Sequence, residues 1–207
     1  LFFAPLGSCM FVLELSRFKR SVTKHLLSIL LACFVAFGLA SAVGIGDVIP
    51  KVALPALSWP VVGGCVVIGV ACAIGGTLFV KAIDALQRVT ARRSRDYYLW
   101  VAAGGLLIAG LTLAFGWQPL AGTGGLLLAE ALAGEAGTWD FALKALVTAL
   151  ALGLWFKGGE IMPTFTIGAL LGASCTVMTG GDAGWSAAVG LVAFFAAMSR
   201  CPLAAIL

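Results

Sequence analysis

Three apolar stretches, at about 22–43, 59–88 and 98–116, each match the roughly 20 residues that carry a helix across a bilayer. Four shorter stretches follow at 124–134, 139–156, 160–178 and 185–198, and several of these are too short to cross alone. Short, glycine-interrupted helices fit a membrane protein in which non-helical backbone lines a polar cavity, a layout common in transporters. Composition agrees: 61% of the 207 residues are hydrophobic and 11% are charged, against roughly a quarter charged in a soluble domain. The expected fold is all-α and polytopic, with short re-entrant helices, and the lipid bilayer is its first partner.

Charge sets the orientation. Arg17, Lys19, Arg20 and Lys24 precede the first long stretch and Arg88, Arg92, Arg93 and Arg95 follow the second, so both segments face the cytoplasm and the connection near 44–50 lies outside. Lys81, Asp84 and Arg88 read as side chains reaching toward the headgroups. Tyr97, Tyr98 and His25 read as interfacial residues. The net charge of +4 is small and carries no interleaved aromatics, which argues against nucleic acid as a partner. Six cysteines without C-x-x-C spacing read as small buried hydrophobes. An opening without Met, a charged leader or a cleavage site reads as the interior of a longer protein.

Gly158-Gly159-Glu160-Ile161-Met162-Pro163 sets two glycines, an acid and a proline between apolar stretches, which reads as a helix start inside the membrane. The first N–H groups of a helix have no intrahelical acceptor, and together with the positive end of the helix dipole they make a site for an anion. Gly158 and Gly159 allow close backbone approach, and Pro163 suits a first turn where no N–H is needed. Gly158, Gly159, Glu160, Ile161 and Met162 are therefore the expected anion-binding residues, and ion transport is the expected function.

Glu160 has two readings. A protonated carboxyl donates a hydrogen bond to an anion and an ionised one repels it, so its charge state can couple protons to the anion; alternatively the carboxylate caps the helix 160–178. Lys157 either adds positive potential near the pathway or snorkels. Lys144, close to Trp139 and Asp140, reads as an interfacial anchor. Thr164 and Thr166 read as hydroxyls bonded back to helix carbonyls, and Phe165, Phe194 and Phe195 as packing residues. Neither H-E-x-x-H nor G-x-S-x-G occurs, and Glu130, Glu135 and Asp140 are too loosely spaced for a metal site. The expectation is a transporter and not an enzyme, with no metal and no cofactor.

The two ends carry a possible internal repeat, Ala4-Pro5-Leu6-Gly7-Ser8 against Cys201-Pro202-Leu203-Ala204-Ala205. Many transporters are built from inverted repeats with the ion site at their interface. Four segments together resemble the CLC family of anion channels and proton-coupled anion antiporters. Residues Phe3 to Glu14 are similar to the helix after the family's gating-glutamate helix, and Gly158 to Pro163 to its third anion-binding segment, usually written G-x-F-x-P. Ala121-Gly122-Thr123-Gly124-Gly125 is similar to a glycine-rich connection in the second repeat, and Met198 to Ile206 to a late helix at the family's dimer interface.

Phe156-Lys157-Gly158-Gly159-Glu160 followed by an aliphatic residue resembles the fluoride/proton antiporter branch, as does Leu15, where chloride/proton antiporters usually place an inner glutamate. Met162 departs from the threonine frequent in that branch. The resemblance implies a CLC-like inverted-repeat fold, with 1–58 the end of the first repeat and 59–207 most of the second. It implies a multi-pass protein of the plasma or inner membrane, a homodimer with a pathway in each subunit, and fluoride and protons as the transported ions. Glu160 would be the proton-coupling residue. The alternative is a chloride/proton antiporter or a voltage-gated chloride channel of the same family. The family's serine-bearing anion segment and gating glutamate would precede Leu1, and its late pore tyrosine would follow Leu207.

Overall fold

The computed structural model describes residues 4–17, 22, 24–44, 52–56, 58–93, 96–179 and 181–206, without the side chains of 177–179. Its described elements are α1 (Pro5–Leu15), α2 (Leu26–Ala42), α3 (Trp59–Arg93), α4 (Tyr97–Phe115), a 3-10 turn at Gln118–Leu120, α5 (Gly125–Ala133), α6 (Asp140–Gly153), α7 (Ile161–Thr179), α8 (Ala183–Ser199) and α9 (Pro202–Ile206). The fold is all-α, and the apolar stretches correspond to α2 through α8. The main difference is at α3, which continues beyond residue 88 to Arg93. Nothing in that segment breaks a helix, and Arg92 and Arg93 suit the negative end of its dipole. Lys19, Arg20, Arg95, Phe3 and the connection at 45–50 lie outside the described residues.

Helices start and stop at residues chemically suited to those positions. Pro5 and Pro202 open α1 and α9 at positions where a missing N–H costs nothing. Gly116 and Gly134 close α4 and α5 in the left-handed conformation. Asp182 caps α8, its carboxylate accepting from the Trp185 N–H at 2.9 Å.

α7 and α8 form the centre. Gly168 faces Gly190 and Gly172 faces Ser186, a register that makes the pair antiparallel. A Cβ on Gly172 or Gly190 would run into the facing backbone, so only glycine permits this approach. In lipid, apolar burial drives little association, and such small-residue contacts carry it instead. α3, α5 and α6 pack around this pair, α4 packs on α6, and α1 packs on α2 and α9. Phe165 stacks edge-on against Phe195 with centroids 4.9 Å apart, and Phe194 lies 6.0 Å from Phe79, so all three phenylalanines are packing residues as expected.

The periphery is different. α2 buries no residue and α4 buries only Gly104, although both are apolar throughout. Among the described residues, α3 and α4 are long and apolar enough to cross a membrane. Arg88 approaches Asp84 at 3.9 Å with both side chains exposed, an arrangement worth little energetically and consistent with reach toward a headgroup layer. Cys9, Cys72, Cys175 and Cys201 are buried, whereas Cys33 and Cys65 are half-buried.

Candidate functional site

The site begins where α6 ends. Leu154 bonds back to the Leu150 carbonyl, and the Phe156 N–H reaches the Ala151 carbonyl at 3.1 Å, the long closing bond of a Schellman turn. The left-handed residue in that turn is Trp155, at φ 68°, where glycine is usual. Its indole Nε1 donates to Thr90 Oγ1 at 2.8 Å, which fixes the strained residue to α3. Gly153, two residues earlier, is committed to packing: a Cβ there would meet Leu86 side-chain carbon at 2.5 Å.

Lys157, Gly158, Gly159 and Glu160 then run without regular structure and are exposed, and α7 starts at Ile161. No acceptor among the described residues takes the N–H groups of Gly158, Gly159, Glu160, Ile161 or Met162. A Cβ on Gly158 or Gly159 would meet nothing within 4 Å. The Glu160 carbonyl, not its carboxylate, closes the first turn, accepting the Thr164 N–H at 3.1 Å and the Thr164 hydroxyl at 2.5 Å. The Glu160 carboxylate accepts no hydrogen bond from the described residues, so the capping reading finds no bond to support it. Ile161 and Met162 are half-buried. Ile161 borders a cleft of about 290 Å³ together with Ala4, Gly7, Ser8, Phe195 and Ala204, which brings the starts of α1, α7 and α9 to one place.

The glycine-rich connection flanks α7 one turn further on. Thr166 Oγ1 donates to the Met162 carbonyl at 3.1 Å, as expected of a back-bonded hydroxyl, and also faces the carbonyls of Thr123 at 3.1 Å and Gly124 at 3.4 Å. Lys144 corrects its sequence reading. It is not an interfacial anchor: it is fully buried, and its Nζ donates to the Leu120 carbonyl at 2.7 Å and the Gly122 carbonyl at 2.8 Å. Its neighbours in sequence, Trp139 and Asp140, sit at the start of α6, and Asp140 accepts from the Gly137 N–H at 2.8 Å. Lys144 is one turn deeper and faces inward.

Sequence reasoning also passed over Glu14. Its carboxylate oxygens accept from the N–H groups of Leu203 at 3.1 Å and Ala204 at 2.7 Å, tying the end of α1 to the start of α9. The segments that look alike, at Pro5 and Pro202, thus begin two helices that pack together. The bond itself joins residues 189 and 190 positions apart and leaves no local trace.

Comparison with known proteins follows the same line. The family model described as voltage gated chloride channel matches residues 1–207. A chloride/fluoride channel protein of Pseudomonas syringae pv. tomato is 32% identical over 99% of this chain and 47% of its own length. The crystal structure of a CLC-type fluoride/proton antiporter superposes with a TM-score of 0.81 at 26% identity, over 89% of this chain and 47% of that one. The chain spans about half the length of the relatives it matches.

Proposed function

Because the chain belongs to the CLC family of voltage gated chloride channels, we propose that the protein carries an anion across the membrane, exporting fluoride in exchange for protons. The observation that carries this reading is the open helix start, where the amides of Gly158, Gly159, Glu160, Ile161 and Met162 have no acceptor among the described residues. Fluoride is small and strongly hydrated, so a pathway must replace its water with dense, fixed donors. Two adjacent glycines with open space on the Cβ side leave room for an ion against these amides, and the dipole of a 19-residue helix adds positive potential there. Lys157, exposed beside them, adds more.

Glu160 is the proton-coupling residue in this proposal. Its carboxyl is exposed at the helix start and holds no structural bond among the described residues, so it is available to take up a proton and then donate to the anion. The names of the two relatives, one a chloride/fluoride channel protein and the other a fluoride/proton antiporter, support the choice of ion and coupling. A chloride-selective reading rests on Met162, whose side chain brings no hydroxyl to the site. The proposal extends to a multi-pass protein of the plasma or inner membrane acting as a homodimer, with 1–58 closing the first repeat and 59–207 forming most of the second. It is a transport function and not an enzymatic one.

The test is the full-length protein in lipid vesicles, with fluoride, chloride and pH electrodes read together. Fluoride efflux with opposing proton movement is expected, and Glu160→Gln is expected to remove the proton movement. Unaltered proton-coupled exchange by that variant would remove Glu160 from the mechanism, and faster chloride than fluoride efflux by the wild type would favour the chloride reading.

A further inference from the structure

Lys144 is an ammonium placed where ammonium groups are costly. It is fully buried on α6, and its two hydrogen bonds, 2.7 and 2.8 Å, go to backbone carbonyls. Those lengths are typical of charge-assisted bonds. No carboxylate among the described residues lies within ion-pair distance of it; the recorded pair is Arg88 with Asp84. Tying down two carbonyls does not by itself require a charge, since the NH2 of an amide side chain also offers two donors. An ammonium at this buried position would be compensated only in part by carbonyl dipoles.

The charge sits beside α7. Lys144 Nζ and Thr166 Cγ2 lie 3.1 and 3.0 Å from the point a Cβ on Gly124 would occupy, so they are separated by no more than those two distances laid end to end. Thr166 stands five residues past Ile161, about 7.5 Å along the axis at 1.5 Å per residue. The Lys144 end of that separation is buried and the helix-start end is exposed, so salt screens the interaction from one side only.

We propose that Lys144 is a positioning residue of the anion path: its buried charge holds the 121–124 turn against α7 and strengthens anion binding at the start of that helix. The inference rests on the function proposed above. The mobile charge that balances the ammonium is the transported anion, so apparent anion affinity follows the charge at position 144 and not the integrity of the turn alone.

The test measures the fluoride concentration dependence of flux for the full-length protein in vesicles, with size-exclusion profiles confirming folded protein. Lys144→Arg is expected to keep KM within about threefold of the wild type, while Lys144→Gln and Lys144→Met raise it roughly tenfold with a smaller change in kcat. Thr166→Val removes the second tether of the turn but leaves the charge, and is expected to leave KM unchanged. An unchanged KM in folded Lys144→Gln or Lys144→Met overturns the proposal, as does a KM in Thr166→Val raised as far as in Lys144→Met. If neither neutral variant folds, Lys144→Arg and Thr166→Val decide: KM close to the wild type in both supports the proposal, and a rise of about tenfold in either overturns it. A wild type that moves neither halide is a separate outcome, because it overturns the function itself and this role with it.

Discussion

Two interruptions divide the apolar second half of the chain, and they are sealed to different degrees. The turn at Ala121–Gly124 carries Gly122 and Gly124 and the break at Trp155–Glu160 carries Gly158 and Gly159, and among the described residues each leads into a helix without a side-chain cap. In the turn, Lys144 reaches in from α6 and takes the carbonyls of Leu120 and Gly122, and the Thr166 hydroxyl on α7 lies against that of Thr123. In the break, side chains among the described residues hold the two ends, Trp155 to Thr90 and Thr164 to the Glu160 carbonyl, and the amides of Gly158 to Met162 stay open. Glycine and proline therefore mark where backbone leaves the helix within an apolar chain. Whether the place is structural or available to an ion depends on which distant side chains arrive.

The sharpest way to break this contrast is to place a side chain in the sealed turn. Gly124 has φ +76°, and a Cβ there would lie 2.8 Å from Lys144 Cε and 3.0 Å from Thr166 Cγ2. Gly124→Val combines a left-handed β-branched residue with overpacking and should cost about 3 kcal/mol or more. Loss of the monodisperse peak on size exclusion, or a thermal transition lowered by several degrees, is the expected result; wild-type stability would mean that the turn is not sealed. At the anchored end of the break, Trp155→Phe deletes the indole N–H and leaves Thr90 with its two helix carbonyls as partners. The expected loss is about 1 kcal/mol, read by thermal unfolding. Thr166→Val should lose a similar amount, about 1 kcal/mol, by leaving the turn's carbonyls with fewer donors.

Most helix limits were legible because breakers are local. Pro5, Gly116, Gly134, Pro163 and Pro202 act through their own dihedrals, so a reader of the chain sees them directly. The open start at Gly158–Met162 was legible for the same reason. Lys144 was not: its sequence neighbours Trp139 and Asp140 suggested a membrane edge, and nothing nearby announces that carbonyls 22 and 24 residues upstream fold over it. Trp155 was missed because its left-handed turn lacks the usual glycine, Gly153 being occupied in contact with Leu86. Glu14 was missed because its partners lie at the other end of the chain. In each case the missing information is a contact between distant segments, which only the folded packing of α1, α6 and α9 supplies.

The smallest expected effect on stability belongs to Gly159→Ala, and it is the one that bears most directly on function. Its φ is not left-handed and an added methyl meets no atom within 4 Å, so the protein should unfold within about 0.5 kcal/mol of the wild type. If the space beside the 158–162 amides is where the anion sits, that same methyl takes the place of the ion's closest approach, and fluoride flux should fall while the unfolding curve does not move. Unchanged flux together with unchanged stability would mean the open amides face away from the path, and the contrast between the two interruptions would then describe packing alone.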